Sequence, residues 1–234
     1  MKTVVVTGGS RGIGLEIAKK FYNEGYEVIS MSRSEGSERK NWQYIKCDLR
    51  DRIQIESIGK ELQAGQRKVD VIINNAGIAG KNSLAWESDD DLWYDIIATN
   101  LHGPYHICKT FLPLIPQGGS IINITSVLAH TGVGDQTAYC AAKHGLMGFT
   151  KALAKNLAPK KITVNAIAPG WVETEMAMQR MEELNLSKSD LCDMVPLRRI
   201  IDGSEIAEMA FYLSGPKARS ITGQSFVIDG GFLS

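Results

Sequence analysis

Net charge is what this 234-residue sequence lacks most plainly: 26 lysines and arginines stand against 26 aspartates and glutamates. A balanced chain offers no electrostatic reason to bind nucleic acid or an anionic membrane surface, so neither partner is expected. Long apolar runs are missing as well; none approaches the roughly 18 residues of a membrane span. The amino terminus, MKTVVVTGG, carries one lysine and an apolar run too short for a secretory signal, and reads as a strand that starts almost at once. Cysteine is sparse and scattered: Cys47, Cys108, Cys140 and Cys192 form no C-x-x-C pair. Without a secretory signal, that pattern suggests reduced thiols in a cytoplasmic protein. His102 and His106 are spaced i, i+4, but Gly103 and Pro104 lie between them and no acidic third ligand is near in sequence. No metal site is expected. A Pro/Gly/Ser-rich linker and internal repeats are also missing, so residues 1–234 read as one domain.

What is present is an alternation. With 44% hydrophobic residues the chain can bury a substantial core. Short β-branched runs recur at 3–6, 27–31, 44–47, 69–73, 120–124, 162–167 and 225–229, separated by longer amphipathic stretches. One of these, GLEIAKKFYNEG (14–25), ends on a glycine where a left-handed residue closes a helix. Near-continuously apolar strands alternating with helices imply a parallel sheet covered on both faces, a doubly wound α/β Rossmann fold with seven strands. Residues 171–200 break the rhythm as a long excursion after the sixth strand and read as a lid. Met176, Met178, Met181 and Met194 give it adaptable apolar surface, either packing the lid onto the domain or meeting substrate.

The first strand runs through TGGSRGIG (7–14) directly into a helix. Gly8, Gly12 and Gly14, with Ser10, Arg11 and Ile13 between them, suit a tight turn and a helix amino terminus facing a pyrophosphate. About 20 residues further on, an NAD site usually has an acidic residue for the ribose 2′-hydroxyl. This chain has Ser32 and Arg33 there, and Arg11 in the loop itself. Two guanidiniums and no carboxylate favour a 2′-phosphate, hence NADP(H) over NAD(H).

Tyr139 and Lys143, in TAYCAAKHG, share one helix face a turn apart. Alone, that pair reads as a surface tyrosine beside a solvated lysine. Its companions change the reading. Thr7-Gly8-x-x-x-Gly12-x-Gly14, CDL (47–49), NNAG (74–77), ATNLHG (98–103), INITSV (122–127), the Tyr139/Lys143 pair and APGWVET (168–174) occur in order along essentially the whole chain. Together they resemble the short-chain dehydrogenase/reductase family. The resemblance implies a catalytic tetrad of Asn100, Ser126, Tyr139 and Lys143. It also implies Asp48 and Leu49 at the adenine, with Asn75, Ala76 and Gly77 lining the cofactor groove. Pro169, Gly170, Val172 and Thr174 would lie around the nicotinamide carboxamide, and Tyr139 and Lys143 would touch the cofactor as well. In that scheme Tyr139 donates a proton to a carbonyl oxygen and Ser126 hydrogen-bonds it. Lys143 holds the nicotinamide ribose and, with the positive nicotinamide ring of the oxidised cofactor, brings the phenol's pKa toward working pH, while Asn100 anchors water that restores the proton.

Within the family, 164–176 and 195–232 resemble 3-oxoacyl-acyl-carrier-protein reductases most closely. This implies an acyl-thioester substrate, possible docking of acyl carrier protein, and a homotetramer packed through the helices bearing Asn100 and Tyr139 and through the C-terminal strand region. Lys160 matches one basic docking position, but FLPLIPQGGS (111–120) has no basic residue, which counts against carrier-protein docking. An NADP-dependent sugar or secondary-alcohol dehydrogenase is the alternative. A non-catalytic dinucleotide sensor would be expected to lack the tyrosine or lysine, and this chain keeps both. The connection RSEGSERKNW (33–42) is short for the family, so its helix is expected to be reduced or absent.

Overall fold

A computed structural model describes residues 1–34, 36, 38–80, 84, 86, 87 and 89–234. Each apolar run becomes a strand: β1 (Thr3–Thr7), β2 (Glu27–Ser32), β3 (Trp42–Lys46), β4 (Val71–Asn74), β5 (Ser120–Ile124), β6 (Thr163–Pro169) and β7 (Ser225–Ile228). All neighbours pair in parallel, in the order β3-β2-β1-β4-β5-β6-β7. This is the doubly wound Rossmann order. Helices α1 (Gly12–Asn23), α2 (Arg52–Ala64), α3 (Asp90–Ile97), α4 (Gly103–Phe111), α5 (Thr137–Leu157), α6 (Glu175–Glu183), α7 (Lys188–Met194) and α8 (Gly203–Ser214) fill the intervals.

Alternation along the strands divides the core between the two sheet faces. Val4, Val6 and Val28 pack with Ile17 and Phe21 of α1 and Ile206 and Ala210 of α8. Val5, Ile29 and Ile72 face the other way, toward Ile55 of α2, Ile107 of α4 and Leu157 of α5. The first helix stops at Gly25, whose φ of +81° is the left-handed closing residue expected from the sequence. Strand β3 begins two residues earlier than its apolar run, because Trp42 pairs with Val28, is buried, and donates its ring N–H to Ser30 Oγ at 3.0 Å. Between β2 and β3 the described residues form no helix; residues 35 and 37 of that connection lie outside the described set.

Because β1 and β4 are neighbours while their connections leave in opposite directions, a crevice opens beyond their carboxyl ends, where this fold binds ligands. Thr7 pins the two ends together: its Oγ1 donates to the Ile73 carbonyl (3.3 Å) and accepts from the N–H groups of Asn75 (3.0 Å) and Ala76 (3.1 Å). The excursion after β6 holds α6 and α7. Helix α6 buries none of its residues, and Met176, Met178 and Met194 stay 41%, 52% and 47% exposed. These three methionines therefore do not fix the excursion to the domain, while Met181 is partly buried. No helix among the described residues is long and apolar enough to cross a membrane.

Candidate active site

The crevice starts at the glycine loop. Arg11 occupies the N-cap of α1, but its side chain makes no capping bond and the first turn holds no acidic residue. The free N–H groups there suit an anion. A Cβ on Gly14 would lie 2.2 Å from the Gly8 carbonyl oxygen, so only glycine lets the helix start this close to the turn. Asn75 closes the loop from the β4 side, donating its side-chain N–H to the carbonyls of Thr7 (3.0 Å) and Gly8 (3.3 Å). Ser10 lies in the turn, and Ile13 packs against the α1 core. An uncapped helix start and a cradle that a single methyl would fill fit a dinucleotide pyrophosphate.

At the end of β2, Ser32 Oγ donates to the Ser34 carbonyl at 3.0 Å. Arg33 is exposed and has no ion-pair partner among the described residues. Arg11 does have one: its guanidinium reaches Glu175, at the start of α6, at 2.7 Å. Sequence position gives Arg11 and Arg33 to the same phosphate; in the structure Arg11 is instead engaged by the lid. Asp48 is held by Arg50, whose Nη2 reaches Oδ2 at 2.7 Å and whose Nη1 reaches Asp95 of α3 at 2.7 Å. Arg50's hydrogen bonds hold the Asp48 carboxyl below the usual carboxylate range, with a smaller contribution from Arg33's charge. Leu49 is buried against the start of α4.

On the far side, β6 ends at Pro169, and the Gly170 N–H donates to Ile228 at 2.9 Å. Val172 is buried and pairs with Ile201. Thr174 caps α6 by accepting from the Ala177 N–H at 3.2 Å. It also closes on the glycine loop, since a Cβ on Gly12 would lie 3.3 Å from its methyl.

The four candidate catalytic residues lie beside this groove. Asn100 is fully buried where the helix widens to π geometry between α3 and α4, a local form common at functional sites. Its amide accepts from the Ile78 N–H at 2.9 Å and donates to the Ile78 carbonyl at 2.8 Å. Gly77 sits between the parts: a Cβ there would lie 3.3 Å from Asn100 Oδ1 and 3.6 Å from Lys143 Nζ. Ser126 follows β5, accepts from the Leu128 N–H at 3.1 Å, and is hydrogen-bonded to Tyr139. Lys143 is 4% exposed, donates to the Ile124 carbonyl at 2.8 Å, and stands 5.5 Å from the centre of the Tyr139 ring.

Without cofactor, burial outweighs every other influence on the phenol. Burial pushes Tyr139 up to about 12, opposed by its hydrogen bond with Ser126, although part of the ring stays exposed. The ammonium's donor goes to Ile124 and its charge lies over the ring, not at the hydroxyl. Desolvation brings Lys143 itself down to about 8.

Arg50, Glu175 and two further features escape a reading of the sequence. A buried polar seam crosses the sheet: Asn74 donates to Asn123 (2.8 Å) and Asn123 to Thr150 of α5 (2.8 Å). An asparagine inside each of two otherwise apolar strands is its signal, since a buried amide needs a partner. The second is an ion pair between Arg180 of α6 and Asp135; no local pattern announces it. Among the described residues no group of three or more His, Cys, Asp or Glu side chains could hold a metal ion.

Residues 8–233 match a family model described as enoyl-(acyl carrier protein) reductase. The chain is 36% identical to the 3-oxoacyl-acyl-carrier-protein reductase FabG of Haemophilus influenzae over 98% of its own length and 97% of that protein. The chain belongs to the short-chain dehydrogenase/reductase family. Among solved structures, it resembles a single-substitution variant of actinorhodin polyketide ketoreductase with NADPH (TM-score 0.92, 37% identity, 99% of this chain and 97% of that one). It also resembles the ligand-free aldohexose dehydrogenase of Thermoplasma acidophilum (TM-score 0.93, 30% identity, 99% and 94%). As a short-chain dehydrogenase/reductase it is an oxidoreductase that uses a nicotinamide dinucleotide and acts on carbonyl or hydroxyl groups.

Proposed function

We propose that the protein is an NADPH-dependent reductase of 3-oxoacyl thioesters, with Asn100, Ser126, Tyr139 and Lys143 as its catalytic groups. The observation that carries the chemistry is the contact of Tyr139 with Ser126 beside a buried, desolvated Lys143. The substrate class is supported by near full-length similarity to a 3-oxoacyl reductase.

Bound nicotinamide supplies a hydride to the carbonyl carbon. Tyr139, kept protonated by burial, gives its proton to the carbonyl oxygen, and Ser126 hydrogen-bonds that oxygen as charge develops. Lys143 orients the nicotinamide ribose and places a cation beside the phenol. Asn100, locked on Ile78, holds the backbone beside Gly77 and anchors the water that reloads the proton. The glycine loop with α1 holds the pyrophosphate, Asp48 and Leu49 the adenine, Asn75 and Ala76 the groove wall, and Pro169, Gly170, Val172 and Thr174 the carboxamide.

Arg33, exposed and without an ion-pair partner among the described residues, is the first residue we assign to the 2′-phosphate, with Arg11 as its companion. A charge-assisted bond of about 1.5–3 kcal/mol corresponds to a preference for NADPH of about 10- to 100-fold. Arg33→Asp is expected to erase or reverse that preference in kcat/KM. Equal values for NADPH and NADH in the unaltered protein would remove the assignment.

The substrate test is an NADPH-oxidation assay with acetoacetyl and 2-enoyl thioesters on carrier protein and on coenzyme A, beside ketoses and simple ketones. Turnover of the acetoacetyl thioesters supports the proposal. Turnover of a ketose alone would favour the sugar-dehydrogenase reading, which the likeness to aldohexose dehydrogenase supports. Turnover of the enoyl esters alone would move the reaction to a carbon–carbon double bond. Lys160 and Lys161 are exposed and form the basic part of any carrier-protein contact. With no basic residue in 111–120, that contact is weak and salt-sensitive. A homotetramer is part of the same proposal, supported by exposed Tyr94 and Tyr105 near the helices bearing Asn100 and by exposed Tyr212 and Val227 at the C-terminal end.

A further inference from the structure

We propose that the ion pair between Arg180 and Asp135 is the latch that positions the lid over the catalytic cleft. The inference rests on reading 171–200 as the substrate lid of the carbonyl reductase proposed above. Helix α6 buries none of its own residues, although Val172 ahead of it and Leu191 of α7 after it are buried. The polar contacts made by α6 itself differ sharply in shielding. Arg11–Glu175 and Lys188–Glu173 are pairs whose side chains are each more than 60% exposed. Exposed pairs of that kind contribute little, because water and salt screen them. The Arg180 side chain is only 15% exposed and that of Asp135 30%. Arg180 Nη2 lies 3.1 Å from Oδ1 and 3.0 Å from Oδ2 of Asp135, while Nη1 is 3.6 Å from Glu183 within α6. That Nη1 is buried and has no hydrogen bond among the described residues, so Asp135, with Glu183 further off, compensates the guanidinium's lost water.

The position of Asp135 gives the pair its consequence. It lies in the segment that joins Ser126 to α5, four residues ahead of Tyr139. The lid is thereby tied to the stretch of backbone that carries the serine and the tyrosine, whereas Arg11–Glu175 ties it to the cofactor end. Arg180 and Asp135 are positioning residues. They set how often the lid is closed on substrate, and leave the chemistry to the groups below.

With acetoacetyl thioester as varied substrate and saturating NADPH, Asp135→Asn is expected to raise KM by about three- to tenfold. kcat should stay level or rise, because product leaves an unlatched lid faster. Asp135→Glu, which keeps the charge, should stay near the parent, and Asp135→Arg with Arg180→Asp should recover most of the KM. Hydrogen exchange of α6 amides, measured with NADPH and no thioester, should quicken in Asp135→Asn. This arm reads the latch even if the thioester proves not to be the substrate. Parental KM and parental α6 exchange in both Asp135→Asn and Arg180→Gln would overturn the latch. So would a kcat loss in Asp135→Asn that the charge-reversed pair fails to recover while its thermal stability and NADPH binding are intact.

Discussion

Replacing Tyr139 with phenylalanine is expected to lower kcat for carbonyl reduction by about 10²–10⁴, the range typical of general acid–base catalysis. The ring volume is kept, so folding and NADPH binding should persist, and the loss should appear in kcat and kcat/KM alike. The environment of the hydroxyl makes the expectation specific. With its pKa pushed up to about 12 in the protein alone, the phenol stays protonated across neutral pH but is a weak acid, so its proton moves only as charge develops on the carbonyl oxygen. Reduction by the phenylalanine variant at more than about a tenth of the parental kcat, with cofactor saturating, would place the proton donor elsewhere.

How much of this could be read in advance depended on the range of each interaction. Buried parallel strands announce themselves as β-branched runs, so all seven were legible. The early start of β3 was not, because Trp42 is brought into the strand by Val28 and Ser30, more than ten residues away. The proposed tetrad stands in the sequence as a set of motifs, and the fold brings Asn100, Ser126, Tyr139 and Lys143 beside one groove. The acidity of Tyr139 in the protein alone was not legible, since it depends on how the fold buries the ring and sets Ser126 beside it. Arg11 looks like a phosphate ligand by its place in the glycine loop; the carboxylate that engages it comes from Glu175, 164 positions away. Arg180 and Asp135, 45 positions apart, share no local pattern, and only the packed lid brings them together.

Lys143→Met is the second substitution with a large expected effect, and its pH dependence separates the lysine from the tyrosine. Methionine fills a similar buried volume but removes the cation and the donor to Ile124. The charge-assisted bond to the nicotinamide ribose, at about 1.5–3 kcal/mol, accounts for up to about 100-fold in kcat/KM. The fold should survive. Burying the charged amine lowers its pKa from 10.5 to about 8, which costs about 3 kcal/mol in the parent at neutral pH. Because the folded value lies below the unfolded one, that cost is present below pH 8 and is relieved as pH rises from 8 toward 10. Methionine removes it, and the carbonyl left without its partner returns about 1–3 kcal/mol of penalty. The two nearly cancel, so lost activity is not lost structure. In the parent, kcat/KM for reduction should hold level up to pH 8 and fall above it as Lys143 gives up its proton. Tyr139, at about 12, stays protonated over that range and contributes nothing to the fall. The methionine variant should be slow and flat across pH 7–9. A variant that keeps the alkaline fall would assign that limb to another group and leave Lys143 with only a structural part in the site.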